Sequence, residues 1–384
     1  MPFIPHTDEQ QKAMLKEIGL SDMEQLFQDI PPELRTSPDS TIEAGKSEHE
    51  VRRLFQQLSC RNAVEKTCFL GGGFYDHFIP AAVDTIISRS EFYTAYTPYQ
   101  PELSQGTLQA IFEYQTAICR LTGMEAANAS LYDGGTALFE ALSMALNITD
   151  KTKVLVDEAV NPVYRKMLRS YTANLEIDYK EIPAVDGMVN RDQILAELND
   201  QTAALILQNP NFFGIVDDFT DLVEKAHSVG AISICSIYPF ALGLLKTPGE
   251  MGFDIVTGEG QSLGLPLSFG GPYLGVIATL KKHVRKMPGR IAGMTRDTEG
   301  RRGFVLTLQA REQHIRREKA ISNICSNQAL CALGALVYLT LLGKYGFTEA
   351  AETAAQNAEY AYRKLTEIPG VTGKFNAPFY NEFV

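Results

Sequence analysis

Between Lys151 and Gly258 short apolar runs alternate with amphipathic stretches, and no other feature limits the fold so strongly. VLVD (154–157), AALILQ (203–208), AISICSI (231–237) and DIVTG (254–258) are almost free of polar alternation, and LEIDYKEIP (175–183) adds a further strand. Strands of this kind bury both faces, as in a parallel sheet; an antiparallel sheet with one wet face would alternate. The intervening segments carry helix signals. Asn161 with Pro162 opens one, Asn190 caps the next, and Gly230 closes DDFTDLVEKAHSVG. The pattern predicts an α/β fold with a mainly parallel sheet covered on both faces. Ligands in such sheets lie beyond the carboxyl ends of strands, so the loops after Val156, Leu207, Ile237 and Val256 are the ones to watch.

A chain of 384 residues exceeds the size at which one core keeps growing, so more than one packed unit is expected. Residues 1–66 read as a helical arm, with capping boxes at Ser21/Glu24 and Ser47/Glu50, a helix end at Gly19 and an irregular link at Pro31, Pro32 and Pro38. Residues 67–320 form the large α/β domain, and 321–384 begin a smaller C-terminal α/β domain. That part opens with an apolar helix near Ile324 to Leu342, ended by Gly343 and Gly346. A second helix, TEAAETAAQNAEYAYRKL, follows it, and FNAPFYNEFV looks like a strand just begun, as if the domain were cut short. The apolar run Ala329 to Leu342 is too short to span a bilayer. The N-terminus has no basic start or apolar h-region, so a cytoplasmic location away from membranes is expected. Six cysteines without a CxxC pair read as reduced thiols rather than a metal site.

The net charge of −11 argues against nucleic acid as a partner. It is unevenly spread: Lys281 to Lys319 holds twelve Lys or Arg against four Asp or Glu. That strip is either a solvated face or a docking surface for an acidic partner.

Three segments carry chemistry. EFYTAYTPYQPELSQG (91–106) concentrates tyrosines around Pro98 and Pro101, which deny it a hydrogen-bond ladder. It reads as an extended rigid loop leading into a helix from about Thr107 to Leu121, closed by Gly123. Tyrosine joins apolar contact to a polar tip, which suits a site or a subunit interface as well as a packed loop. FLGGGFYDHFIP (69–80) permits close backbone approach but has no P-loop continuation; His77 beside Asp76 reads as a structural hydrogen-bonder. Asp133-Gly134-Gly135-Thr136 opens a helix and could present backbone N–H groups to an anion.

FLGGGFYDHFIPA, YTAYTPYQPELSQGTLQAIFEYQTAICRLTGMEAANASLYDGGTALFEA, LILQNPNFFGIVDD and LPLSFGGPYLG together closely resemble the glycine dehydrogenase (decarboxylating) family, the P protein of the glycine cleavage system. The resemblance covers most of the chain. It implies the pyridoxal-phosphate transferase fold type I (aspartate aminotransferase-like), with a mainly parallel seven-stranded-type sheet and a smaller C-terminal domain.

Two departures bear on the role. In catalytic members an Asp pairs with the pyridine nitrogen and a Lys forms the Schiff base; the matching positions here are Cys235 and Gln261. A glutamine amide forms no imine, a thiol is a poor partner for a pyridinium, and there is no lysine between Thr247 and Leu280. The chain thus resembles the alpha half of a split P protein, which has no catalytic or cofactor-binding residue of its own. The resemblance implies pyridoxal phosphate on a partner beta subunit and a heterotetramer of two alpha and two beta chains. The implied reaction is decarboxylation of glycine with aminomethyl transfer to the lipoyl group of H protein. Active sites of this fold lie at subunit interfaces, so Tyr93, Tyr96, Thr97, Tyr99 and Gln100 are the candidates to reach the partner's site. Two alternatives stay open: a purely structural or regulatory subunit, and an autonomous pyridoxal-phosphate enzyme using another lysine such as Lys246.

Overall fold

Thr7, Ser47 and Asn161 each place a side-chain oxygen over a helix start, and such local signals open several of the helices below. The computed structural model describes residues 5–35 and 45–384. Pro38 of the expected N-terminal link lies outside the described residues. The chain divides into two compact units, one up to Phe69 and one from Leu70 to Val384.

In the first unit, α1 (Asp8–Glu17) and α2 (Glu48–Ser59) start with reciprocal capping boxes at Thr7/Gln10 and Ser47/Glu50. The box expected at Ser21/Glu24 is displaced by one residue. Asp22 accepts from the Glu24 N–H at 2.9 Å, and Gln25 Oε1 takes the Ser21 and Asp22 N–H groups at 2.8 and 3.2 Å. An Asp oxygen reaches the N–H two residues on, which suits the tight turn that follows.

The second unit runs α3 (Ala81–Ile87), α4 (Ser90–Tyr93), α5 (Gln105–Thr122), β1 (Ala126–Ala127), α6 (Gly134–Thr149), β2 (Lys153–Asp157), α7 (Pro162–Thr172), β3 (Asp178–Ile182), α8 (Arg191–Glu197), β4 (Thr202–Asn209), α9 (Thr220–Ser228), β5 (Ile232–Ile237), β6 (Ile255–Glu259) and β7 (Gly275–Thr279). It ends with β8 (Ile291–Arg296), β9 (Arg302–Thr307), α10 (Gln313–Arg316) and α11 (Ala329–Thr366). The main sheet has seven strands in the order β1-β7-β6-β5-β4-β2-β3. The five apolar strands of the sequence are its parallel part, while β7 and β1 close one edge antiparallel.

Period-two alternation divides the core. Leu205 and Leu207 of β4 face a layer with Tyr114 and Ile118 of α5 and Leu222 of α9; Ala204 and Ile206 face the other, with Leu138 and Leu142 of α6. Both faces are dry, which is why these strands show no polar alternation.

The basic strip conceals a hairpin, β8–β9, whose Ala292, Phe304 and Leu306 pack on Leu108 and Ile111 of α5. The two C-terminal helices join as α11, interrupted only at Gly343 with φ 59° and ψ −172°. By length and composition α11 could cross a membrane, yet its Ala332, Leu333, Ala335 and Tyr338 are buried. FNAPFYNEFV forms no strand: Phe379 makes one isolated bridge to Ile215, and Pro378 has no N–H with which to extend a ladder.

Glu140 on the inner face of α6 is 3% exposed, and its Oε2 has no partner among the described residues. Burial pushes its carboxyl up to about 7. The unfolded chain releases this proton near pH ~4.3, so Glu140 erodes stability as pH rises from there to about 7, by roughly 3 to 4 kcal/mol in full. Glu140→Gln is therefore expected to raise the melting temperature clearly at pH 8 and much less at pH 5 by calorimetry. Equal shifts at both values would contradict the assignment.

Candidate functional site

The loops at the carboxyl ends of β2, β4, β5 and β6 converge on one cleft. Asn161, Tyr164, Gln208, Ser236, Tyr238 and Glu259 are among its lining residues. Each arrives by local chemistry. Asn161 caps α7 by accepting from the Val163 N–H at 2.9 Å, and its own N–H meets Gln208 Oε1 at 2.8 Å. After β4, Asn211 Oδ1 accepts from the N–H groups of Phe213 and Ile215 at 2.9 and 3.1 Å, which fastens the NPNFFG turn on itself. Tyr75 and Glu382 cover the cleft, joined by a short Tyr75 hydroxyl to Glu382 carboxylate bond. Glu382 also takes the Gly72 N–H at 2.7 Å, and a Cβ at Gly71 would collide with its carboxylate, so the triple glycine serves a close approach. The space left is about 40 Å³.

The N-terminus of α6 lies behind Glu259, which lines the same cleft. Asp133 caps it through the Thr136 N–H at 2.8 Å. The Gly134 N–H points elsewhere, to Glu259 Oε2 at 2.9 Å, while Glu259 Oε1 accepts from Gln261 N–H at 3.0 Å and Leu274 N–H at 3.1 Å. Glu259 is 5% exposed; burial pushes its carboxyl up to about 7, against the pull of these donors. Any side chain at Gly134 would meet Glu259, whose backbone N lies 2.9 Å from an added Cβ. The sequence Asp133-Gly134-Gly135-Thr136 does present an N–H group to an anion, and the anion is the chain's own.

The other sequence candidates scatter. Cys235 lies inside β5 in the apolar layer with Leu205 and Leu207, where burial pushes its thiol far up. Gln261 is buried too, donating to Tyr75 O at 3.1 Å and Leu265 O at 2.8 Å and accepting from Tyr75 N–H at 3.2 Å. Neither lines the cleft, whose wall there is Ser236, Ile237, Tyr238 and Glu259. His77 is structural as expected: Nε2 accepts from Gly264 N–H at 3.1 Å, which leaves Nδ1 to donate to Tyr75 O at 3.2 Å. Lys246 sits at the surface on Asp218 at 3.0 Å and Thr220 at 2.8 Å, outside the cleft. In the tyrosine segment, which begins as α4 rather than fully extended, Tyr93, Tyr96, Tyr99 and Gln100 are exposed and Thr97 is half-buried. Arg290, one of the twelve basic residues of the strip, proves to be 4% exposed and bonded to Tyr99. Charge counting could not have separated it from its neighbours.

The family model described as "Glycine cleavage system P-protein" matches residues 1–384. The chain belongs to the glycine cleavage system P-protein family. A curated protein from Nitratidesulfovibrio vulgaris (strain Miyazaki F), described as probable glycine dehydrogenase (decarboxylating) subunit 1, is 58% identical over all of this chain and 86% of its own length. One of the same description from Geotalea uraniireducens is 56% identical with the same coverage. A crystal structure of glycine decarboxylase (P-protein) of the glycine cleavage system in inhibitor-bound form superposes with a TM-score of 0.91 at 45% identity, over 100% of this chain and 86% of that one. A sphingosine-1-phosphate lyase from Burkholderia pseudomallei shares the fold at a TM-score of 0.63 and 13% identity, covering 91% of this chain and 81% of that one.

P proteins and this fold imply pyridoxal phosphate, and the cleft of this P-protein chain does not fit it. No lysine lines the cleft, the α6 N-terminus is filled by Glu259, and the free space is far below the roughly 300 Å³ at which small-molecule sites begin. If Glu259 stands in an anion seat, removing it should create a vacancy that an anion can fill. Glu259→Ala is expected to lose about 2 kcal/mol or more through its unpaired N–H groups, and added inorganic phosphate should raise its melting temperature by more than it raises that of the parent. A variant that gains no more from phosphate than the parent does would show that the seat is only structural.

Proposed function

We propose that this chain is the subunit without the catalytic lysine in a heteromeric glycine decarboxylase, and that it completes the active site of a partner beta subunit. The observation that carries the reading is the carboxylate of Glu259 in the anion seat of its own cleft. A chain whose cofactor seat is filled from within contributes to the reaction only through what it presents outward. In this reading pyridoxal phosphate is held by the beta subunit in an assembly of two alpha and two beta chains. Glycine is decarboxylated there, and the lipoyl group of H protein receives the aminomethyl fragment. The cytoplasm is the proposed location.

What this chain presents is the tyrosine segment. Tyr93 and Tyr96 are 68% and 81% exposed, and Tyr99 46%. Exposed aromatic rings of this size mark interaction sites. Pro98 is buried beneath them and holds the segment to the body. Tyr93, Tyr96, Thr97, Tyr99 and Gln100 would supply hydrogen bonds to glycine or the lipoyl arm and exclude water from the partner's site. The basic strip supports a docking role for the H protein. Arg290 and Arg311 are drawn into the structure and Arg301 pairs with Asp297 and Glu299, but Lys281, Arg285, Lys286, Arg296, Arg302, Arg316, Arg317 and Lys319 remain exposed.

Decarboxylation of glycine should require both chains, assayed with the beta subunit alone and after adding this one. In the assembled complex Tyr96→Phe and Tyr99→Phe are each expected to lower kcat/KM about tenfold, the loss of one hydrogen bond in a dry site, with assembly unchanged by size-exclusion chromatography. Full activity in both variants would leave the chain a scaffold. Separately, KM for H protein should rise with sodium chloride concentration, because exposed charges are screened within about 8 Å at physiological salt; a salt-independent KM would remove the docking role from the strip.

A further inference from the structure

The tyrosine segment forms one wall of a second cavity, of about 140 Å³. Tyr93, Tyr96 and Thr97 lie on that wall, Ala110 and Tyr114 of α5 also line the cavity, and Arg290 reaches it from the residue before β8. Arg290 is only 4% exposed. A guanidinium carries five N–H donors and keeps its charge at any relevant pH. Among the described residues this one makes a single side-chain hydrogen bond, from Nη2 to Tyr99 Oη at 3.2 Å, with its carbon 5.6 Å from the centre of the same ring. Nε is buried without a partner. The Glu312 carboxylate comes no closer than 3.9 Å to it, too far for a hydrogen bond.

A buried cation with most of its donors idle is costly unless something supplies the acceptors. The backbone around Arg290 cannot relax to supply them, because it is pinned on several sides. Ala129 N–H holds the Arg290 carbonyl at 2.8 Å, Asn128 Nδ2 holds that of Pro288 at 3.0 Å, and Arg311 Nη2 holds that of Gly289 at 2.9 Å. The cavity is too small to admit a whole cofactor, yet the planar fork of an arginine matches carboxylate and phosphate oxygens.

We propose that this cavity is an oxyanion site, in which Arg290 receives a small carboxylate or a phosphate group and Tyr93, Tyr96 and Thr97 enclose it. Where the oxyanion is the carboxylate of glycine or the phosphate of a partner's cofactor, the inference deepens the composite-site reading and rests on it. Binding to this chain alone does not need that reading, so the two can fail separately.

The test uses the full chain with three probes: acetate and glycine followed by proton saturation-transfer NMR, and inorganic phosphate by phosphorus line broadening. Saturable binding is expected, weakened about tenfold or more in Arg290→Gln and partly kept in Arg290→Lys. Preference for acetate and glycine assigns the site to a substrate carboxylate; preference for phosphate assigns it to a phosphate group. If circular dichroism shows Arg290→Gln unfolded, Ala110→Leu decides, since it fills the cavity and leaves the guanidinium in place. Failure of the parent chain to bind any probe, or unaltered binding in whichever folded variant decides, overturns the proposal. Binding of the probes with full activity in the tyrosine variants would keep this site and discard the composite one.

Discussion

The carboxylate of Glu259 on the first N–H group of α6 is the contact on which the character of this chain depends. A helix N-terminus in a parallel α/β sheet is a ready seat for an anion, with free N–H groups and a favourable dipole. Here β6 ends in a glutamate that turns back into the seat, and backbone N–H groups from three separate segments converge on it. Gly134 is what allows the two backbones to approach so closely. The cleft beside it keeps the form of a ligand site, with Asn161, Gln208 and Tyr238 at strand ends, but little of its volume.

Closing one site shifts attention to the surface. With the internal cleft narrowed and lined by Tyr75 and Glu382, the exposed rings of Tyr93 and Tyr96 and the unpartnered Nε of Arg290 meet at the second cavity. The hairpin β8–β9 and helix α5 give that cluster a rigid base through Leu108, Ile111, Phe304 and Leu306. Aromatic rings in solvent and a guanidinium short of acceptors are both costly in isolation, and both are relieved by a partner of complementary chemistry.

Much of this was legible locally. The five parallel strands, the caps at Asn161 and Asn190, the closing Gly123 and the interruption at Gly343 all rest on residues within a few positions of the element they define. Local signals erred where two neighbours could serve the same turn, as when Asp22 with Gln25 displaced Ser21 with Glu24, and where a proline hid in an otherwise strand-like tail. The loops after β2, β4, β5 and β6 were singled out by the strand pattern, but which of their side chains line the cleft, Ser236 and Glu259 among them, was not legible; Cys235 and Gln261 are buried outside its lining.

By itself, then, the sequence determined the α/β class, the parallel sheet and the place along the chain where a site would form, because hydrophobic periodicity and capping act over short spans. Only the tertiary structure decided that the anion seat is filled by a glutamate 125 residues away and that one of the twelve basic residues in the strip, Arg290, is buried beside the tyrosines. Contacts between residues so distant are set by how layers pack, and a charge count or a motif carries no record of which side chain the packing turns inward.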